Sequence, residues 1–317
     1  MKQIIVLLTC LLFFSCEKTV TESELTYPDV TREEKIPEDA VKMTPETDLY
    51  PPVLHMAEWE DPVPLEGPVN TAGGEDSPFI PAGRDELYIF FTPDVNAPYG
   101  DQVSDDVSGI WMSGYSDNGW QEPERVWLQD PGKLALDGAE FVQGNEMWFV
   151  SAREGYTGLH WFHADYIDGK WTNWQNADFE SSFEVGEFHI HGNELYYHSS
   201  RSGGKGNYDI WKLTRVNGEW QDPVNVEVIN TPELEGWPYI TVDGNELWYT
   251  GTYQGTVAVY RSLKQNDEWQ TPEVVISQFA GEPTMDKFGN IYFVHHYFKD
   301  GEMIEADIYV CYKKQGS

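Results

Sequence analysis

Five short segments, RDELYIFF (84–91), GNEMWFVS (144–151), GNELYYHS (192–199), GNELWYTG (244–251) and GNIYFVHH (289–296), align along this 317-residue chain. On that alignment Ser77, Glu140, Glu187, Trp237 and Glu282 fall in one equivalent slot, and Glu75, Asp76 and Glu235 lie one or two residues before it. A second slot, just after the segments, holds Pro93, Arg153, Arg201, Tyr253 and Tyr297. His189 and Tyr239 lie two residues beyond their slot residues, where strand alternation points them the same way. Two carboxyls about 5–10 Å apart, one with a raised pKa, are what glycoside hydrolysis asks for. Glu140, Glu187 and Glu282 are the candidates for that role. Aromatic faces beside carboxylates and Arg also suit sugars without any reaction, through C–H contacts and hydroxyl hydrogen bonds. The candidate ligand set is Glu75, Asp76, Arg153, Arg201, His189, Glu235, Trp237, Tyr239, Tyr253 and Tyr297. Binding is preferred over catalysis, because the chain has no nucleophile elbow or phosphate loop. A structural alternative pairs Glu140 and Glu187 with Arg153 and Arg201 as ties between repeats. No metal or other cofactor is expected: His189, His191 and His198 lack a zinc spacing. The Asp-rich stretch 94–106 lacks an EF-hand spacing and reads as a solvated loop. His295 and His296 read as strand-end packing.

Positioning these residues requires a repeat. WQEP at Trp120, WTNW at Trp171, WQDP at Trp220 and WQTP at Trp269 are spaced by 51, 49 and 49 residues, and a further copy, WEDP, stands early at Trp59. Each unit reads as four strands with Gly/Asn hairpin turns between them. Four-stranded units of this length arrayed around an axis describe a β-propeller. The expectation is an all-β, five-bladed propeller of four-stranded blades. The early WEDP copy would supply an N-terminal strand that completes the last blade. A linear solenoid would show terminal caps instead. Hairpin turns on one face are short, whereas loops such as 93–108 and 296–307 on the face of the interblade connections are long. Long loops on a rigid scaffold are where binding concentrates, so the site is expected on that second face.

The segments SSRSGGKGNYDIWKL (199–213), NGEWQDPVNV (217–226) and INTPELEGWPYITVDGNELWYT (229–250) resemble the WD40-like propeller repeat called PD40, found in TolB-like proteins and in envelope proteins with OmpA-type domains. VNTAGGEDSPFI (69–80) and ADIYV (306–310) are similar to the same pattern. The resemblance covers roughly residues 50–314 and implies fold far more than function. Five-bladed propellers are also the fold of several glycoside hydrolase families, whose carboxylates sit near the axis.

Lys plus Arg number 20 and Asp plus Glu 54, so the formal charge is −34. That excludes a nucleic-acid binder and electrostatic docking on anionic lipid. Residues 1–15 carry an apolar run, Ile4 to Phe14, too short to span a bilayer and fitting a signal peptide. Phe13-Phe14-Ser15-Cys16 resembles a bacterial lipobox, which implies lipidation at Cys16. Residues 16–49 are polar, acidic and Pro-punctuated and read as a flexible tether to a propeller domain over 50–317. The expected protein is a monomeric lipoprotein of the cell envelope, on the outer membrane, with a glycan or an envelope protein as partner. Cys311, alone in the mature chain, reads as a packed side chain.

Overall fold

The computed structural model describes residues 26–180 and 183–315. The expected signal peptide and the expected lipidation site, Cys16, lie outside the described residues. The chain is all-β, with one helical turn, Tyr99–Gln102, among the described residues. It is a β-propeller assembled from antiparallel sheets. One set of strands is Gly74–Phe79, Glu86–Thr92 and Gly109–Ser116, edged by Gly119–Trp120 and Glu124–Arg125. Ala135–Gln143, Glu146–Arg153, His160–Ile167 and Lys170–Asn176 form a four-stranded sheet, as do Phe188–His191, Glu194–Ser199, Asp209–Val216 and Glu219–Asn225. Glu235–Ile240, Glu246–Tyr253, Thr256–Gln265 and Glu273–Ser277 follow, then Ala280–Met285, Ile291–Lys299 and Glu302–Cys311. The outer strands of two sheets break at Pro123 and Pro272, where the missing N–H is tolerated because, among the described residues, no strand pairs at the break itself.

Two N-terminal pieces add to late sheets. Val53–Leu54 pairs with Ile276 and Ser277, and Val63–Pro64 pairs antiparallel with Tyr309 and Val310. Trp59 lies between them, bridged to Lys313. Asn70 then clamps the third strand of the last set: its amide donates to the Ile308 carbonyl at 2.9 Å and accepts from the Ile308 N–H at 2.9 Å. Asn230 makes the same pair of bonds to Ile210, at 2.8 and 2.7 Å. A side-chain amide matches a strand's exposed donor and acceptor together, which explains the Asn-Thr that opens both INTPELE and VNTAGGE. The core is divided into clusters that span neighbouring sheets. Phe141 and Trp161 pack with Phe188 and Trp211, and Tyr196 and Ile210 pack with Ile240 and Tyr249. Trp248 and Val259 pack with Phe293 and Tyr309, and Ile308 and Val310 pack with Leu87 and Ile89.

The described part of the 16–49 segment does not behave as a free tether. Arg32 is 1 % exposed. Its guanidinium donates to the carbonyls of Val69 (2.5 Å) and Pro68 (2.6 Å) and pairs with Glu75 (3.2 Å) and Glu122 (2.9 Å). Lys42 binds Glu305 and Asp307, Asp48 lies 2.9 Å from His295, and Tyr27 stacks on Trp127. In the sequence these cations look like solvated charges in an acidic stretch. What orders them is buried carboxylates on the sheets, which need a partner in a low-dielectric setting.

Arg32→Ala strands Glu75 without its cation and is expected to cost about 3–5 kcal/mol of stability, read by urea unfolding. Burial lifts the Glu75 pKa to about 6, with Arg32 opposing it. The carboxyl is therefore mostly protonated in the fold at pH 5, and the loss should be smaller there than at pH 8. Equal losses at the two pH values, or none, would contradict the ion-pair account.

Candidate functional site

The innermost strands reach the axis through β-bulges. Their pairing slips between Asp76 and Phe79, Gly138 and Phe141, Gly236 and Tyr239, and Gly281 and Thr284. At each slip one residue takes a left-handed backbone: Ser77 (φ 48°), Ala139 (54°), Trp237 (50°) and Glu282 (52°). A bulge re-aims the side chain it carries. Pro78, Pro238 and Pro283 follow three of them and have no N–H to leave unpaired at the irregularity. The equivalent position in the second sheet is therefore Ala139, and Glu140 stands one residue past it. The strand Phe188–His191 pairs without a slip, so Glu187 reaches the same place on an ordinary backbone.

Ser77, Glu140, Glu187, His189, Trp237, Tyr239 and Glu282 line an axial space of about 50 Å³. Ser77, Ala139 and Glu187 also line, with Asp76, a cavity of about 1060 Å³. Its walls come from the 92–103 and 152–161 segments, His198 and the start of three first strands. Glu187 Oε1 accepts from the Trp237 indole N–H at 3.0 Å, and Glu282 Oε2 accepts from the Ser77 hydroxyl at 2.7 Å. Asp76 accepts from the Ser77 N–H at 2.8 Å and faces His296 Nε2 at 3.8 Å. Neither carboxyl oxygen of Glu140 meets a hydrogen-bond donor among the described residues.

These carboxyls divide into two kinds. Burial, then the negative charges of Glu187 and Asp76, pushes Glu140 up to about 8. Burial and Asp76 push Glu187 up to about 8, against the Trp237 N–H. Burial and the same neighbours push Glu282 well above its ordinary value. Burial also acts on Asp76, but the His296 ring and the Ser77 N–H outweigh it and hold Asp76 below the usual range. Like charges crowded together cannot all ionise, so burial and mutual repulsion favour the protonated form at Glu140, Glu187 and Glu282, and the His296 ring and the Ser77 N–H favour the ionised form at Asp76.

Several sequence candidates lie elsewhere. Glu75 and Glu235 are buried caps, each accepting from the N–H and hydroxyl of the Thr four residues earlier, Thr71 and Thr231. Arg153 pairs with Asp137 (2.7 Å) and Ser151 (2.8 Å), not with Glu140, although it borders the large cavity. Arg201 lies over the Trp211 ring and bonds the Tyr197 hydroxyl at 3.1 Å, not Glu187. Tyr297 is fully buried, its hydroxyl on Asp307 (3.1 Å) and Tyr309 (2.8 Å), so it belongs to the core. Tyr253 packs edge-on against His55, and neither it nor Pro93 lines either cavity. His189 is wedged among Phe79, Phe141 and Tyr239, and burial pushes its pKa down to about 3. It is a neutral axial ring rather than a charged contact.

Two histidines set aside in the sequence belong here. His198 Nδ1 accepts from the Trp237 backbone N–H at 3.3 Å, and burial pushes this ring down to about 4. His296 is the partner of Asp76. The signal for His198 was present: it lies near the end of its second strand, across from Glu187, and its N–H donates to the Glu187 carbonyl at 3.2 Å.

No family model matches the chain, and no curated protein matches it. Solved structures similar to it include TolB from Acinetobacter baumannii, at 12% identity and TM-score 0.43, covering 78% of this chain and 56% of that one. The Bacteroides ovatus xyloglucan PUL GH43B shows 12% identity and TM-score 0.47, with 78% and 53% covered. The gluconolactonase XC5397 from Xanthomonas campestris shows 12% identity and TM-score 0.45, with 83% and 95% covered. This chain thus spans little more than half the length of the TolB and GH43B chains.

Proposed function

We propose that this chain is a five-bladed, PD40-like propeller, closed by Val63–Pro64 in the last blade, that binds a glycan in the 1060 Å³ cavity on the face of the interblade connections. The matching Asn70 and Asn230 clamps support the closure, because they treat the N-terminal connection as one more interblade crossing. One observation carries the ligand reading. A cavity of small-molecule size has acceptor and donor carboxyls at its floor and Trp and Tyr rings in its wall. Carboxylates accept from sugar hydroxyls, protonated carboxyls donate to them, and rings take the C–H faces. An envelope protein is the competing partner. Lipidation at Cys16 and an outer-membrane location are part of the same reading and rest on the lipobox resemblance.

A second reading is hydrolysis. It is favoured by Asp76 held ionised beside Glu187 pushed up to about 8, an arrangement that separates a base from an acid. Glycan arrays with reducing-end assays on the wild type, Glu187→Ala and Glu187→Gln separate the two. Binding without turnover is expected, at least about tenfold weaker in Glu187→Ala and nearly intact in Glu187→Gln. Turnover that disappears in Glu187→Gln while binding survives would replace binding by hydrolysis. Binding unaffected by Glu187→Ala would remove the cavity from the account.

A further inference from the structure

The floor and the rim of the large cavity differ in chemistry. Arg153 is the one Lys or Arg among the residues lining it, and its guanidinium is engaged by Asp137 and Ser151. Asp76, Glu154 and Glu187 face the same space. A ligand with a carboxylate, sulfate or phosphate would meet carboxyl groups and, among the described residues, no Lys or Arg without an ionic partner, while the His160 ring there is already bonded to Asp178, so it binds at a Coulomb cost that grows as water is excluded. The chain's charge of −34 repels such a ligand at longer range as well.

The rim is apolar. Tyr99, Leu159, Leu134 and Tyr156 are 81, 70, 51 and 44 % exposed, and all four line this cavity. They come from three separate loops, so their meeting is a product of the fold and not of one sticky segment. Single exposed apolar side chains need no explanation, whereas a set that converges on a pocket marks a surface that is covered in use. Two of the four are flat rings, which favour a flat partner.

We propose that the cavity takes uncharged glycosides bearing an aryl group, with the sugar on the Asp76 and Glu187 floor and the aryl ring against Tyr99, Leu134, Tyr156 and Leu159. This rests on the glycan reading above and adds the class of ligand. The occupant is a small molecule because the floor is recessed and the volume, about 1060 Å³, is at the upper end for small-molecule sites.

The test titrates the full-length chain with phenyl and methyl glycosides, both anomers, of glucose, galactose, xylose and N-acetylglucosamine, followed by calorimetry. Phenol and phenyl β-glucuronide serve as controls. For at least one sugar the phenyl glycoside should bind at least about tenfold tighter than the methyl one, from the apolar area it buries. In the Tyr99→Ser/Leu159→Ser double variant that gain should fall below about threefold while methyl glycoside affinity holds; both residues are exposed, so folding is preserved. Phenyl β-glucuronide should bind at least about tenfold weaker than phenyl β-glucoside. Methyl glycosides that bind in a Glu187-dependent way without any phenyl gain would overturn this inference and leave the glycan reading standing. A gain that survives the rim variant, or a glucuronide as tight as the glucoside, would do the same. Phenol as tight as the phenyl glycosides, or no binding by any of them, would overturn both.

Discussion

Trp59→Ala should destabilise the whole domain by about 3–5 kcal/mol, the cost of a large buried ring lost with only partial collapse of the site. Trp59 is 2 % exposed. Its ring meets Trp248 edge-on at 5.7 Å, Arg261 lies over it at 5.5 Å and the Lys313 ammonium at 3.8 Å. Its indole N–H donates to the Gly289 carbonyl at 2.8 Å, which truncation leaves without that donor. These partners belong to the last two strand sets, more than 180 residues away in sequence, so the loss reports on the joining of the chain's ends. Urea unfolding followed by circular dichroism, which does not depend on the missing Trp, gives the free energy. A truncated chain of residues 67–317 lacks both N-terminal strands and should not unfold cooperatively at all. A cost under about 1 kcal/mol, or a cooperative 67–317 fragment, would show that the ends contribute nothing to closure and would overturn the proposed five-bladed ring.

Glu140→Gln is expected to stabilise the protein, and only above acidic pH. The folded pKa of about 8 lies above the ordinary carboxyl value of 4.5. Below about pH 4.5 the group is protonated in both states and contributes no difference. As pH rises toward 8 the unfolded chain releases its proton while the fold retains it, so the fold loses stability across that window. Gln has nothing to release. The gain over wild type should grow from near zero at pH 4.5 to about 1–3 kcal/mol at pH 8, then level off. Thermal melts of both proteins at pH 4.5, 6 and 8 provide the check. A gain equal at all three values would mean that Glu140 is solvated rather than stranded. A buried carboxyl with no donor costs stability, and such costs collect where a site needs chemistry.

How far the site could be read from the sequence depends on which physical rule was being used. Placing Glu187, Trp237, Tyr239 and Glu282 at the axis needed only the hairpin markers and the alternation of strands, and these four do line the axial space. The same alignment put Tyr297 beside them, yet its side chain packs inward on Asp307 and Tyr309. It also put Glu140 level with Ser77, but the bulge places Ala139 there. A one-residue bulge leaves no mark in a hydrophobic pattern, although it decides which way a side chain points. Arg153 and Arg201 were near the expected carboxylates in sequence terms and chose Asp137 and the Trp211 ring instead.

Read alone, the amino acids determine the all-β architecture, the repeat of about 50 residues and the set of strands that face inward. Those are local properties, written in turn residues and period-two alternation. Tertiary structure alone decided that Arg32 and Lys42 of the acidic N-terminal stretch lock onto Glu75, Glu305 and Asp307. It alone decided that Asp76 is held below the usual carboxyl range while Glu140, Glu187 and Glu282 are pushed above it, and that loops some 60 residues apart form one rim around Tyr99 and Leu159. Burial and proximity set a carboxyl's protonation and an ion pair's partner, and both arise only once distant segments pack together.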